Sequence, residues 1–225
     1  AANTTYGLAK LGVNTGFVQK GLPDNQFIDF YRERSSAKLY CAILGNIVIP
    51  GGFGTNDQTP TMSSHPRWAE IAEAISSKGT MPGIQLATTW PSYLGQRKFV
   101  AREPSEAIED ARQLLSEMTR DDIDNVLNGF SAACQTAVDH GYQHIQIHAA
   151  HGYFPSLLLD EGLNPLALYV QDKMAELAYF LRSQKVETSV RWSIRTGNSE
   201  FDQRGIEESV ANVASLEFDY VDLSS

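Results

Sequence analysis

Hydrophobic positions along the chain repeat with two periods, one typical of helices and one typical of strands. The clearest helical repeat places Ile123, Val126 and Phe130 on one face of a segment that follows Thr119. Thr119 is a residue type that caps helices and is followed by acidic residues, and Gly141 is a residue type that ends them. The sequence therefore predicts one long amphipathic helix between these two positions.

Shorter segments before and after this helix alternate between the two periods. Further helices are predicted after Asp24, from about Pro66, from Asn164 to about Arg182, and over 206–216. Strands are predicted over 1–3, 39–50, 82–87, 144–148, 186–194 and 218–223, and 88–116 is predicted to be a long loop with a short helix. Strands that alternate with helices indicate a parallel sheet.

Two α/β architectures give this order of elements, a doubly wound open sheet and a TIM barrel. No Gly-rich dinucleotide fingerprint follows the first predicted strand, which counts against the doubly wound sheet. We therefore expect a single domain over residues 1–225, an α/β TIM (β/α)8 barrel with about six strand–helix units in this chain. The abrupt start at Ala1, which is not a methionine, favours a fragment.

Polar residues occupy strand positions that are usually apolar in a buried parallel sheet. In the predicted strand over 144–148, Ile145 and Ile147 share one face. The opposite face carries His144, Gln146 and His148. In a barrel, the apolar face would contact the surrounding helices and the polar face would line the lumen.

The same alternation in the neighbouring strands places Gln85 and Arg191 on the lumen side with His148. These three side chains should converge near the C-terminal ends of the strands, where barrel enzymes have their active sites. A buried arginine or histidine requires partners, which a bound polar ligand would supply. The alternative is an internal network without ligand, in which Arg191 pairs with Glu187 or Asp222.

Composition and charge narrow the function classes. The formal net charge is −9, so we expect no nucleic-acid partner, because an acidic surface repels phosphate backbones. No apolar run approaches the length needed to cross a bilayer, and we expect no membrane partner. Two distant cysteines, Cys41 and Cys134, form no disulfide framework and fit a reducing, cytoplasmic compartment.

Residues 141–153 read GYQHIQIHAAHGY, and this stretch resembles the central motif of the old yellow enzyme family, the NADH:flavin oxidoreductases. In that family a strand carries a polar residue, then H-x-x-H or H-x-x-N, then Gly-Tyr. Weaker similarities follow in the family's order over most of the chain. They are Ala1-Ala2-Asn3, Phe30-Tyr31 with Arg34, His65-Pro66-Arg67-Trp68, Gln85-Leu86, Val190-Arg191-Trp192-Ser193 and the segment from Asp219 to Ser225.

The resemblance implies an FMN-dependent oxidoreductase that passes hydride from NADPH or NADH to an activated C=C bond of a small α,β-unsaturated carbonyl compound. Gln85 would bind the flavin pyrimidine edge, and Arg191 would stabilise the negative charge of reduced flavin near N1 and O2. His148 and His151 would hold the substrate oxygen. Tyr153 would donate the proton to carbon.

The resemblance also leaves a part of the family's barrel unmatched. The family's seventh and eighth strands, whose loops bind the FMN phosphate, have no counterpart here. A six-stranded barrel has open edges, so a homo-oligomer or a second segment could complete it, or the barrel is degenerate. The alternative function is a non-catalytic or flavin-free relative that acts in binding or assembly.

A metal site is a weaker alternative. His148 and His151 could form half of a zinc site with Asp160 and Glu161 as further ligands. Neither an H-E-x-x-H motif nor a cysteine pair accompanies them, so we expect no metal.

Overall fold

The computed structural model describes residues 18–19, 21–55, 59–91, 104–194, 202 and 206–224. The strands are β1 (Val18–Gln19), β2 (Leu22–Pro23), β3 (Cys41–Val48), β4 (Met81–Ala87), β5 (His144–Ala149), β6 (Glu187–Ser193) and β7 (Tyr220–Ser224). The helices are α1 (Asn25–Arg34), α2 (Arg67–Ser76), α3 (Pro104–Glu117), α4 (Arg120–Asp139), α5 (Phe154–Leu158), α6 (Ala167–Ser183) and α7 (Ile206–Ala214).

The principal sheet contains five strands in the order β3-β4-β5-β6-β7, and each neighbouring pair is parallel. Consecutive strands are therefore spatial neighbours joined by helical crossovers, which is the connectivity of a TIM barrel. The α/β prediction is confirmed. Across the described residues the sheet is not closed, since β3 and β7 each pair with one strand. The first predicted strand, over 1–3, lies outside the described residues.

Helix α4 has the boundaries that its sequence predicts. The Thr119 side chain accepts a hydrogen bond from the Asp122 backbone N–H, and the Asp122 carboxylate accepts one from the Thr119 backbone N–H, which completes a capping box. At the other end, Gly141 has a φ of 87°, a left-handed conformation that glycine adopts without steric cost.

Two local predictions need correction, and two elements were not predicted. The short helix expected within 88–116 is the 14-residue α3, and residues 92–103 lie outside the described part of the chain. Helix α6 begins at Ala167 rather than at Asn164. The reason is that the Asn164 side chain accepts from the Leu166 backbone N–H and donates to the Leu158 carbonyl, which stabilises a turn before the helix. Helix α5 and the β1–β2 hairpin were not predicted.

One face of the sheet packs against the helices and forms the hydrophobic core. Its buried strand residues are Leu44, Ile47, Ile84, Leu86, Ile145, Ile147 and Val190, and the helices contribute Trp68, Ile71, Ile75, Ile123, Phe130, Met174 and Leu181. Burial of these side chains removes apolar surface from water, which is the main stabilising contribution to folding. The opposite face, rich in polar residues, is left for the site. Within the described segments, every helix is too short or too polar to span a bilayer.

Close contact between α4 and the end of β3 depends on Gly129. A Cβ atom at this position would lie 2.7 Å from the Pro50 carbonyl oxygen and 2.9 Å from Ile49 Cδ1. The backbone oxygen cannot move aside like a flexible side chain. A glycine is therefore required here for the helix to reach the sheet.

We predict that Gly129→Ala destabilises the chain by about 1–3 kcal/mol, because overpacking outweighs the gain of about 1 kcal/mol in helix propensity. Urea unfolding followed by circular dichroism measures this difference. The matched control is Asn128→Ala at the adjacent exposed position, which should be neutral or slightly stabilising. A Gly129→Ala chain as stable as the parent would contradict the packing argument.

Candidate active site

Hydrogen bonds connect the polar side chains of four neighbouring strands. Gln85 Nε2 donates to Gln146 Oε1 at 2.6 Å. Gln146 Nε2 in turn lies 3.1 Å from Ser189 Oγ and 3.3 Å from Asp222 Oδ2. Gln85, Gln146 and Ser189 are buried, so these contacts supply the partners that buried polar groups require.

Arg191 contributes to this polar face from β6, and its side chain is about a third exposed. Its Nε atom is 3.5 Å from Asp222 Oδ2, close enough for an ion pair, but without the geometry of a hydrogen bond. Its Nη2 donates to Ser224 Oγ at 3.3 Å. The predicted internal pair with Asp222 is therefore present. Glu187, the other predicted partner, instead contacts Tyr40 and His144.

The buried Nε of Arg191 has no hydrogen-bond acceptor among the described residues. A buried cationic donor without a hydrogen-bond acceptor is costly, and here the Asp222 carboxylate at 3.5 Å offsets only its charge. Gln85 lies on the same polar face, so the two side chains together offer hydrogen-bond donors and an acceptor to a ligand. These residues therefore fit the pyrimidine edge of FMN.

His148 ends the polar face of β5 and is 5 % exposed. The Ala150 backbone N–H donates to its Nδ1 at 3.4 Å, which leaves the ring hydrogen on Nε2. Burial, together with His151 and Arg191, lowers the pKa of His148 to about 3. The ring is therefore neutral at physiological pH, and its Nε2–H is available as a donor.

His151 follows β5 and has a φ of 56°, which is rare for a residue other than glycine. Its backbone N–H donates to Ser193 Oγ at 2.8 Å, and its Nε2 is 2.7 Å from Ser224 Oγ. These contacts fix the turn and the ring. Burial and the Arg191 charge lower its pKa. The His148 and His151 rings lie 5.5 Å apart.

Tyr153 caps the N-terminus of α5 and completes the cluster. Its ring centroid is 4.1 Å from that of His148. Its backbone N–H donates to the Ala150 carbonyl at 3.1 Å. Its hydroxyl oxygen accepts a hydrogen bond from the Asn46 side-chain amide. The structure thus brings His148, His151 and Tyr153 together, as predicted, and His148 lies opposite Arg191 in the β5–β6 register.

Sequence reasoning missed Asn46 and the two contacts of Gln146, with Gln85 and with Asp222. Asn46 lies in a β-bulge, which interrupts the alternation on which the prediction depended. The Gln146 position on the polar face was visible, but its partner was not. Only the register between strands decides which polar side chains meet.

A second polar group lies towards the N-terminal ends of the strands. His144 Nε2 is 2.8 Å from Ser189 Oγ, and its Nδ1 is 3.5 Å from Glu187 Oε2. This order matches that of a hydrolytic triad. Ser189, however, is only 2 % exposed, so a substrate carbonyl cannot reach its hydroxyl. The group therefore stabilises the sheet.

Metal ligation finds no support in the described segments, where no three His, Cys, Asp or Glu side chains lie close enough together to hold an ion. Asp160 and Glu161, the further ligands considered from the sequence, are engaged elsewhere. Asp160 Oδ1 accepts from the Gly162 backbone N–H, and Glu161 accepts from Gln171.

The parallel sheet and the histidine–tyrosine cluster at its C-terminal end define an α/β protein of the TIM-barrel class. Solved old yellow enzymes have this fold. The old yellow enzyme from Pichia sp. AKU4542 superposes with a TM-score of 0.67 at 16 % identity, over 90 % of this chain and 62 % of that one.

The model of the NADH:flavin oxidoreductase / NADH oxidase family matches residues 16–166. The chain belongs to this family, whose members use FMN with NADH or NADPH as reductant. An NADH-dependent flavin oxidoreductase from Aspergillus parasiticus is 23 % identical over 91 % of this chain and 52 % of its own length. An NADPH dehydrogenase from Geobacillus is 32 % identical over 46 % of this chain and 29 % of its own. The chain thus spans about half the length, or less, of these relatives.

The depressed pKa of His148 predicts an acid-sensitive fold. Below pH 6.5 the unfolded chain protonates this histidine, whereas the folded chain does so only near pH 3. The contribution of this histidine to the free energy of unfolding is therefore fully present above pH 6.5 and is lost as the pH falls towards 3. We predict that His148→Gln, which removes this titration, loses about 2 kcal/mol less stability between pH 7 and pH 5 than the parent.

Urea unfolding at the two pH values measures this difference. An NMR titration of the His148 ring, assigned by its disappearance in the variant, checks the titration directly. Equal losses of stability in the parent and in His148→Gln would contradict the buried neutral state.

Proposed function

We propose that this chain is a flavin-oxidoreductase domain, over residues 1–225, of a protein that transfers hydride from NADPH or NADH through FMN to the activated C=C bond of a small α,β-unsaturated carbonyl compound. One observation carries the proposal. Two imidazoles and a phenol, His148, His151 and Tyr153, lie together at the end of a strand, beside the polar face that holds Gln85 and Arg191.

FMN, when bound, supplies a hydride donor that is regenerated by the nicotinamide. Gln85 and Arg191 are the residues that would hold its pyrimidine edge. Gln85 Nε2 is engaged by Gln146, so its carbonyl oxygen remains to accept from a ligand N–H. The positive charge of Arg191 favours negative charge on the bound ring.

His148 and His151 would bind the substrate oxygen. Addition of hydride to the β-carbon of an enone shifts negative charge onto the carbonyl oxygen as an enolate. A neutral imidazole donates a hydrogen bond without losing its proton, and the depressed pKa of both rings keeps them in this form. Donors already fixed in place stabilise the enolate without reorganisation.

Tyr153 would deliver the proton to the α-carbon. Its hydroxyl oxygen accepts a hydrogen bond from the Asn46 amide, so the hydroxyl hydrogen takes no part in this contact. Proton transfer by a positioned side chain contributes about 10²–10⁴-fold to such reactions. The balanced result is addition of one hydride and one proton across the double bond.

Two further points belong to the proposal. We place the protein in the cytoplasm, because Cys41 and Cys134 are free thiols. We also propose that a further segment or a second subunit completes the barrel at β3 or β7, which have one partner strand each in the described sheet.

The second candidate is a flavin-free relative that acts as a binding or assembly protein. It is favoured by the internal partners of the two residues assigned to FMN. Asp222 pairs with Arg191 and Gln146 bonds Gln85, so both side chains have protein partners without a ligand.

Visible absorption of the purified chain, before and after incubation with FMN and desalting, separates the two candidates. The proposed function predicts a retained flavin spectrum that bleaches with NADPH or NADH and recovers when an enone is added. A chain that releases all added FMN would contradict FMN binding by this chain on its own and support the flavin-free candidate.

We predict that Tyr153→Phe slows reoxidation by 2-cyclohexenone by at least about 10-fold, because carbon protonation loses its donor. Reduction by NADPH should change by less than about two-fold, since it requires no proton from this residue. Stopped-flow absorbance measures both half-reactions. The control is Tyr179→Phe, which alters a 71 %-exposed tyrosine of α6 and should match the parent. Equal slowing of both half-reactions in Tyr153→Phe would argue against a proton donor.

A further inference from the structure

We infer that Asn46 is a positioning residue for Tyr153 and holds its phenol in the orientation that proton delivery requires. The inference rests on the proposed function, because it assigns a task to a neighbour of the proposed proton donor. Its structural basis is the hydrogen bond from Asn46 Nδ2 to the Tyr153 hydroxyl oxygen, which joins residues 107 positions apart in sequence.

A β-bulge in β3 brings Asn46 to this position. Leu44 pairs with Ile84 and Ile47 pairs with Leu86, so two residues, Gly45 and Asn46, lie opposite the single residue Gln85. Bulges of this kind redirect a side chain and often occur beside active sites. Leu44 and Ile47 both remain buried in the core. The extra residue therefore directs Asn46 to the site without disturbing the apolar face.

The other bulge residue allows this arrangement because it is a glycine. A Cβ atom at Gly45 would lie 2.6 Å from Gln85 Cβ, which no ordinary contact permits. Gly45 thus lets the backbone approach the residue proposed to bind the flavin, while Asn46 contacts the proposed proton donor. The bulge connects the two halves of the site.

The chemistry of the amide sets the direction of the hydrogen bond. An amide nitrogen can only donate, so the phenol oxygen is the acceptor in this contact. Its own hydrogen then points away from the Asn46 nitrogen. The hydrogen bond to Ala150 fixes the main chain of Tyr153, and the ring packs against His148 at an interplanar angle of 32°. An aspartate at position 46 would reverse the bond, because a carboxylate accepts the phenol hydrogen.

The half-reactions of the FMN-loaded chain test the inference. We expect Asn46→Ala to slow reoxidation by 2-cyclohexenone about 10-fold, and the near-isosteric Asn46→Asp to slow it at least as much, with NADPH reduction within about two-fold of the parent. Asn128→Ala, which removes an exposed amide on α4, should match the parent. Normal reoxidation in both Asn46 variants, or equal slowing of both half-reactions, would overturn the inference.

A second measurement is independent of flavin. In a chain with ¹³Cζ-labelled tyrosine, the Tyr153 resonance is assigned by its absence in Tyr153→Phe. It should shift in Asn46→Ala and stay unchanged in Asn128→Ala, because the ¹³Cζ shift reports hydrogen bonding at the hydroxyl. An unmoved resonance overturns the inference even if the enzyme is active. If the parent reduces no enone, the proposed function fails, and this resonance alone decides whether Asn46 holds Tyr153.

Discussion

The parallel register of strands β4 to β7 is the constraint on which the site depends. It places Gln85 beside Gln146, His148 beside Arg191, and Arg191 beside Asp222. A shift of one residue in any strand would turn its polar side chains into the hydrophobic core and its apolar side chains into the site. Burial of the apolar face therefore fixes the register between the strands. The register in turn decides which polar side chains lie next to one another.

This arrangement has an energetic cost. Polar groups such as Gln146 and Ser189 are removed from water, and the hydrogen bonds between strands compensate for their lost hydration. Arg191 is the exception, because its buried Nε has no acceptor in the described part of the chain. A site that stays partly unsatisfied in the free protein can gain free energy when a ligand binds.

The cluster beyond β5 owes its shape to backbone conformation. His151 and Gly152 both have positive φ, at 56° and 69°, and this tight turn brings Tyr153 back over His148. The protonation state of the two histidines then follows from burial. Both imidazoles stay neutral because a buried positive charge beside Arg191 is unfavourable. Neutral donors and a nearby cation together form a surface suited to a ligand that acquires negative charge.

The sequence by itself determined the fold class and grouped three of the candidate site residues. Its two hydrophobic periods predicted the parallel α/β order, and the motif over 141–153 indicated His148, His151 and Tyr153 together, because residues this close in sequence share one strand and one turn. The tertiary structure alone decided which contacts between strands form, including which of the two candidate partners, Glu187 or Asp222, pairs with Arg191. Asn46 reaches Tyr153 only through a bulge that breaks the alternation, and Asp222 meets Arg191 only through the β6–β7 register. Periodicity within a segment reports which face a residue occupies, but which residue lies opposite depends on packing across the whole sheet.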